Sequence, residues 1–299
     1  MAIVLDGRSL TIEDVVKVAR QQEKVEVSPE AWDRIKKCRA FLQQNIDSRT
    51  VMYGVNTGIG ELAEVALTDE QVKQFQKYLV YSHAAGYGEP IAEDNVRAAI
   101  LSRINVHCHG KSGMRPVVTE TMVEMLNKGV TPVMCQRGSV AACGDLSPMA
   151  QMAMVLIGEG EAFYQGERLP AAEAMKRAGV PIIEFKERDG LASINGSNVI
   201  TGMGSLMLHE VNRWLKTHDI AAAMTMEALN VNMKCLDHRL HEVRGYTGAI
   251  AAAANILRIT ADSEVLAKGR KKVQDAYSLR STPQAVSYTH LTLPTIYSV

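Results

Sequence analysis

Between Ile200 and Leu257 the chain carries no proline and is dominated by alanine, methionine and leucine. Interrupted only near Gly245, such a stretch reads as long helices stacked in a bundle. The rest of the sequence agrees with a helical scaffold. Thr11 is placed to cap a helix through TIEDVVKVARQQ. Ser28-Pro29 pairs an N-cap residue with proline at the first helical position and opens PEAWDRIKKCRAFLQQ, where Trp32, Ile35 and Leu42 lie close to helical spacing. Thr68 precedes DEQVKQFQKYLVYSHAAG, with Val72, Phe75 and Leu79 at i, i+3 and i+7. Short apolar pieces around Val133 and Ile182 are the candidate strands. There is no internal repeat. The expectation is a mainly α chain with minor β content.

Composition narrows the class. With 299 residues and 46% hydrophobic content the chain can bury one large core or two smaller ones. Only 5% is aromatic, which favours helix packing over a β-sandwich. The 33 basic and 33 acidic residues balance, so nothing points to nucleic acid. The opening MAIVLDGRSL lacks the basic and apolar regions of a signal peptide. No run of roughly 18 apolar residues suggests a membrane span. Cys38, Cys108, Cys135, Cys143 and Cys235 are scattered and odd in number, without CxxC spacing. Free thiols in a reducing cytoplasm are expected.

Glycine-containing segments interrupt the helices: YGVNTGIGE from Tyr53, GSVAACGDLSP from Gly138 and SINGSN from Ser193. Loops on a rigid scaffold are where chemistry tends to sit. The last residues, VSYTHLTLPTIYSV from Val286, lack acidic and basic charge, alternate β-branched with polar residues and break the helical pattern. They resemble translated adapter read-through and are expected to be non-native; a genuine β-rich tail is the alternative.

Ala142-Cys143-Gly144 carries the most unusual chemistry. Small residues allow a backbone bend too tight for most side chains. In such a bend the Gly144 nitrogen can attack the Ala142 carbonyl carbon with loss of water, closing a five-membered ring. β-Elimination from Cys143 then leaves an exocyclic methylidene, an electrophile made from the chain itself. Taken alone, a cysteine among small residues is more commonly an inert buried thiol.

GSVAACGDLSPMAQMA resembles the signature of the histidine and phenylalanine ammonia-lyases and related aminomutases, which carry Ala-Ser-Gly in this frame and cyclise it to methylidene-imidazolone (MIO). The resemblance continues at YGVNTGIGELA, LVYSHAAGYGEP, GLASINGSN and VQDAYSLRSTPQ, in the family's order and at about its spacing. It implies an amino-terminal MIO-forming domain over 1–200 and the start of a central helical bundle over 201–285, cut short, with 286–299 as the non-native tail. Cys143 stands where the family usually has serine. Cyclisation is expected to survive, because hydrogen sulfide leaves at least as readily as water; an uncyclised, non-catalytic paralogue is the alternative.

The same resemblance implies the roles. Tyr53 matches the catalytic tyrosine that takes the substrate's β-proton, which requires a pKa below its free value near 10. Asn195 matches a residue contacting the cofactor or the substrate amine. Tyr277 and Arg280 match a second tyrosine and the arginine that grips the substrate carboxylate; Gln274 lies in the same block. His83, in Ser-His, matches the side-chain selectivity position and points to histidine, whereas SINGSN departs from the Asn-Gly-Thr-Gln usual in histidine lyases. The expected reaction is elimination of ammonia from an aromatic L-amino acid, histidine first and then tyrosine or phenylalanine, with a 2,3-aminomutase as the alternative. The expected assembly is a homotetramer when complete, and the helices after Ile200 are expected to expose their partner faces. No metal is implied: His107 and His109, like His238 and His241, lack a matching ligand cluster and read as structural.

Overall fold

The computed structural model describes residues 2–65, 67–140, 142–268 and 272–285; the expectation for 286–299 lies outside them. The chain divides into two compact units, Met1–His209 and Glu210–Val299.

The first unit begins with strand β1 (Ile3–Leu5) and helix α1 (Ile12–Arg20). Thr11 caps α1 reciprocally: its Oγ1 accepts the Asp14 N–H at 3.2 Å and the Asp14 carboxylate accepts the Thr11 N–H. This satisfies two amides that a helix start leaves open. Strand β2 (Val25–Val27) pairs in parallel with β1. Helix α2 (Pro29–Asp47) follows, with Ser28 Oγ accepting the Ala31 N–H at 3.1 Å. Helix α3 (Asp69–His83) starts on a second reciprocal cap between Thr68 and Gln71. The caps expected at Thr11 and Ser28 are present, and Thr68, expected to begin α3, caps it as well.

Strand β3 (Tyr87–Pro90) leads into α4 (Glu93–His107), whose buried residues Val96, Ala98, Ala99, Ile100, Leu101 and Ile104 lie on every side. A helix apolar all round is a central one, and α1 and α5 (Pro116–Lys128) pack on it. Strands β4 (Thr131–Pro132) and β5 (Cys135–Arg137) flank Val133, whose N–H goes to the Glu161 carbonyl at 2.9 Å. Helix α6 (Leu146–Leu156) precedes the hairpin β6 (Glu161–Tyr164) and β7 (Glu167–Pro170); β4, β6 and β7 form an antiparallel sheet, and β3 pairs with β5. Helices α7 (Ala171–Ala178) and α8 (Asp189–Ile194) close the unit with the first turns of α9 (Asn198–Ala228). The strand expected around Ile182 does not form. That segment is irregular, tied down by the Ile183 N–H donating to the Leu156 carbonyl at 3.0 Å.

The second unit contains the rest of α9, α10 (His238–Arg244), α11 (Thr247–Ile259), α12 (Glu264–Lys268) and α13 (Tyr277–Arg280). Its small core is Ala223, Met226, Val231, Leu236, Ala253 and Ile256. Gly245 ends α10 in the left-handed conformation, at the expected interruption. A second interruption was not expected. Asn230 adopts φ +49° and the chain turns through a short 3-10 helix at Met233–Leu236. Asparagine is among the few residues that enter this conformation readily. Along α9, Ile200, Met203, Met207 and Trp214 are exposed on one side of the helix, as expected for the stretch after Ile200.

Candidate active site

Ala142, Cys143 and Gly144 occupy the bend that delivers the chain into α6. Gly144 holds φ +121°, and a Cβ there would lie 2.5 Å from the Gly196 carbonyl oxygen. Only glycine permits both the conformation and the approach. The Asp145 N–H donates to that same carbonyl at 2.8 Å, and the buried Asp145 carboxylate accepts the Ile200 N–H at 2.9 Å. Two glycine-containing loops far apart in sequence are thus fastened together, bringing Asn195 beside the triplet. Cys143 is exposed, which rules out the inert buried thiol.

The other end of the loop is fastened too. Gly138 holds φ +138°, and a Cβ there would come within 2.8 Å of Gly86 Cα. Gln151 spans the same junction: its Nε2 donates to the Gly86 carbonyl at 3.2 Å and its Oε1 accepts the Cys135 N–H at 2.8 Å. His83 stands at the end of α3, three residues before Gly86, with Nδ1 2.8 Å from the Leu79 carbonyl and 3.0 Å from Ser82 Oγ.

Tyr53 joins the group through Gln76, whose side chain is fully buried. Gln76 Oε1 accepts the Leu191 N–H at 3.2 Å, and its Nε2 reaches the Gly54 carbonyl at 3.5 Å. The Tyr53 ring is 57% exposed, and its hydroxyl accepts the Gly60 N–H at 3.2 Å, so it is not a core tyrosine.

Beneath Asn195 lies a buried polar cluster. Arg103 donates through Nη1 to the Asn195 carbonyl at 2.7 Å and to Asn198 Oδ1 at 3.0 Å, and through Nη2 to the Ala192 carbonyl. Its Nε donates to His107 Nε2 at 3.1 Å. Arginine can only donate, so His107 Nε2 accepts and its Nδ1–H faces Thr119 Oγ1 at 2.9 Å. Burial first, and the adjacent Arg103 second, push the His107 pKa down to about 3. The histidine is a neutral structural member, as expected. Burial also holds Arg103 down to about 10, and the Cys108 thiol is raised to about 12.

Gln274, Tyr277 and Arg280 belong to the second unit. The Arg280 guanidinium stacks over the Tyr277 ring at 3.9 Å, so the three-residue spacing puts both on one side of α13. Arg280 Nε donates to the Asp275 carbonyl at 3.1 Å. Gln274 and Arg280 line a cleft of about 300 Å³ together with His241 and Arg244. His241 is buried, with Nε2 3.1 Å from the Cys235 carbonyl. Among the described residues no group of three His, Cys, Asp or Glu is placed to hold a metal, and no helix is long and apolar enough to cross a membrane.

Within the first unit the triplet is thus fastened to the Asn195 loop and its leading segment to the turn after His83, while Gln76 ties the Tyr53 loop to α8; Gln274, Tyr277 and Arg280 form a group in the second unit. The sequence reading missed Gln76, Arg103, Asp145 and Gln151 as the residues that fasten the loops. Only Asp145, directly after the triplet, carried a signal.

The sequence profile of the aromatic amino acid lyase family matches residues 10–299. The histidine ammonia-lyase of Clostridium tetani is 44% identical over 283 residues, covering 94% of this chain and 55% of that protein. The chain thus spans little more than half the length of the curated relatives it matches. Among solved structures, the phenylalanine aminomutase of Pantoea agglomerans superposes with a TM-score of 0.91 at 28% identity, covering 99% of this chain and 61% of that one. The histidine ammonia-lyase of Trypanosoma cruzi superposes with a TM-score of 0.88 at 28% identity, covering 99% and 56%. With the profile matched over nearly its whole length, the chain belongs to the aromatic amino acid lyase family.

Proposed function

We propose that this chain forms part of an MIO-dependent ammonia-lyase that removes ammonia from an aromatic L-amino acid, histidine first and tyrosine or phenylalanine next. The observation that carries the reading is the fastening of Gly144 onto Gly196, which holds an exposed Cys143 beside Asn195. The residues present fit the cofactor: Gly144 has the backbone freedom for a tight turn, and Cys143 carries a leaving group on Cβ. The Gly144 nitrogen bonds to the Ala142 carbonyl carbon as water departs. The Cys143 Cα–H and Cβ–S bonds then break, releasing hydrogen sulfide. The resulting MIO supplies an electrophilic carbon for the substrate's amine.

The chain's own groups do the rest. Tyr53, exposed and anchored through its hydroxyl, takes the β-proton. Asn195 holds the amine end. Arg280, its plane braced by Tyr277, grips the carboxylate, with Gln274 beside it. His83 selects the side chain, and the relatives named histidine ammonia-lyase support histidine as the first substrate to test. The domain limits, residues 1–200 and 201–285, a homotetrameric assembly and a cytoplasmic setting belong to the same proposal.

An aminomutase is the second reading, favoured by the superposition on the Pantoea agglomerans phenylalanine aminomutase. It uses the same residues and returns ammonia to the β-carbon.

The test is the intact mass of the protein expressed from its complete gene, followed by incubation with each amino acid. A deficit of one water plus one hydrogen sulfide is expected, with release of ammonia and an α,β-unsaturated acid. A β-amino acid product selects the aminomutase. An unmodified mass in folded protein overturns both and leaves a non-catalytic paralogue.

A further inference from the structure

The first unit carries a concave feature lined by residues from the end of α4, the segment that follows it, and α8. It has a volume of about 440 Å³, and its lining includes Arg103, Arg188, Lys111, His109 and Asn195. No carboxylate lines it among the described residues. This is an unusual balance in a chain with equal numbers of acidic and basic residues.

The two arginines differ in what they have left to give. Arg103 is 3% exposed and all its donor nitrogens are engaged with carbonyls, Asn198 and His107. It contributes charge without free donors. Arg188 donates through Nε to the Ser112 carbonyl at 3.0 Å, and among the described residues its two Nη groups have no partner. Fixing Nε leaves the paired Nη–H groups as a planar fork, the geometry that binds an oxyanion through two parallel hydrogen bonds. The guanidiniums are close enough for Arg188 to act on Arg103, and burial lowers the pKa of both. Clustered, partly desolvated cations with no counter-charge are costly, and an anion between them offsets that cost.

We propose that this pocket is a binding site for a small free oxyanion, a carboxylate or phosphate group, held bidentately by the Nη pair of Arg188 with Lys111 as second donor and Arg103 as buried charge. The pocket shares Asn195 with the site proposed above, but Arg188 and Lys111, the groups that would hold the anion, have no part in the chemistry assigned to Cys143.

The experiment is calorimetric titration of the complete protein with sodium phosphate and, separately, sodium acetate, against sodium chloride at matched ionic strength. Saturable binding of one anion per chain is expected, weakened at least about tenfold in Arg188→Gln and by a smaller factor in Lys111→Gln, with Arg188→Lys intermediate. Tighter phosphate binding identifies a phosphate-bearing ligand, and tighter acetate binding a carboxylate. Cys143→Ala should bind as the parent does, so a failure of the lyase reading would leave this result standing. Absence of saturable binding by either anion overturns the proposal, as it would if a side-chain carboxylate of a second copy already filled the pocket. Unchanged affinity in Arg188→Gln overturns it too; should that variant not fold, unchanged affinity in Lys111→Gln, altered at an exposed side chain, does the same.

Discussion

Gly144 sits against the Gly196 carbonyl so closely that a single methyl group cannot be added between them. The contact joins the loop that bears Cys143 to the loop that bears Asn195, and both the conformation and the separation exclude any other residue. Gly144→Ala should therefore cost about 2 kcal/mol or more in stability from the left-handed backbone and the clash. Its intact mass should be that of the unmodified chain. A folded Gly144→Ala protein with the full deficit would show that this contact does not govern cyclisation.

Cys143 sets which molecule leaves. Cys143→Ser should show a deficit of two waters in place of one water plus one hydrogen sulfide, and Cys143→Ala should not undergo the elimination. Intact mass separates the three proteins. Loss of hydrogen sulfide that persists in Cys143→Ala would remove Cys143 from the chemistry.

Arg103 supports the Asn195 loop from below. Arg103→Met would leave the Ala192 and Asn195 carbonyls and Asn198 Oδ1 without a donor in a buried setting. At about 1–3 kcal/mol for each orphaned group, a loss of at least about 3 kcal/mol is expected in denaturant titration. Arg103→Lys should recover little, because one ammonium cannot reproduce the spread of a guanidinium. A loss below about 1 kcal/mol would mean that the loop is held without it.

His107 makes stability depend on pH. Its folded pKa, about 3, lies below the ordinary 6.5, so the unfolded chain takes up the proton first as pH falls. The stabilisation is complete above pH 6.5 and is lost progressively between there and about pH 3. At about 1.4 kcal/mol per pH unit, the step from pH 6.5 to 5 costs about 2 kcal/mol. His107→Gln should lose less than the parent between pH 7 and pH 5 by about that amount, measured by urea unfolding at each pH. Parallel curves for the two proteins would contradict the neutral assignment.

The helical frame was legible because its signals are local. Thr11, Ser28 and Thr68 each act on amides two or three residues away, and a cap is written in adjacent residues. The left-handed turn at Asn230 was not read, since asparagine enters that conformation by choice of context and glycine by default. Ile182 suggested a strand on apolar character alone, and among the described residues no strand pairs with it. The loops that carry Tyr53, Cys143 and Asn195 were legible as glycine-containing segments, and His83 as the end of a helical stretch. The groups that tie them together were not. Gln76 reaches Leu191 across 115 positions and Arg103 reaches Asn195 across 92, and nothing in a helical stretch marks which polar residue will turn inward.

The segment from Gly138 to Gly144 is clamped at both ends, by Gly86 on one side and Gly196 on the other. Both anchors rest on side chains that are not there, so the placement of this loop is written in what its two ends lack. Ser139 and Val140 are exposed, and exchanging them leaves both contacts in place. In a library of variants the middle should accept many spellings and each end only one letter.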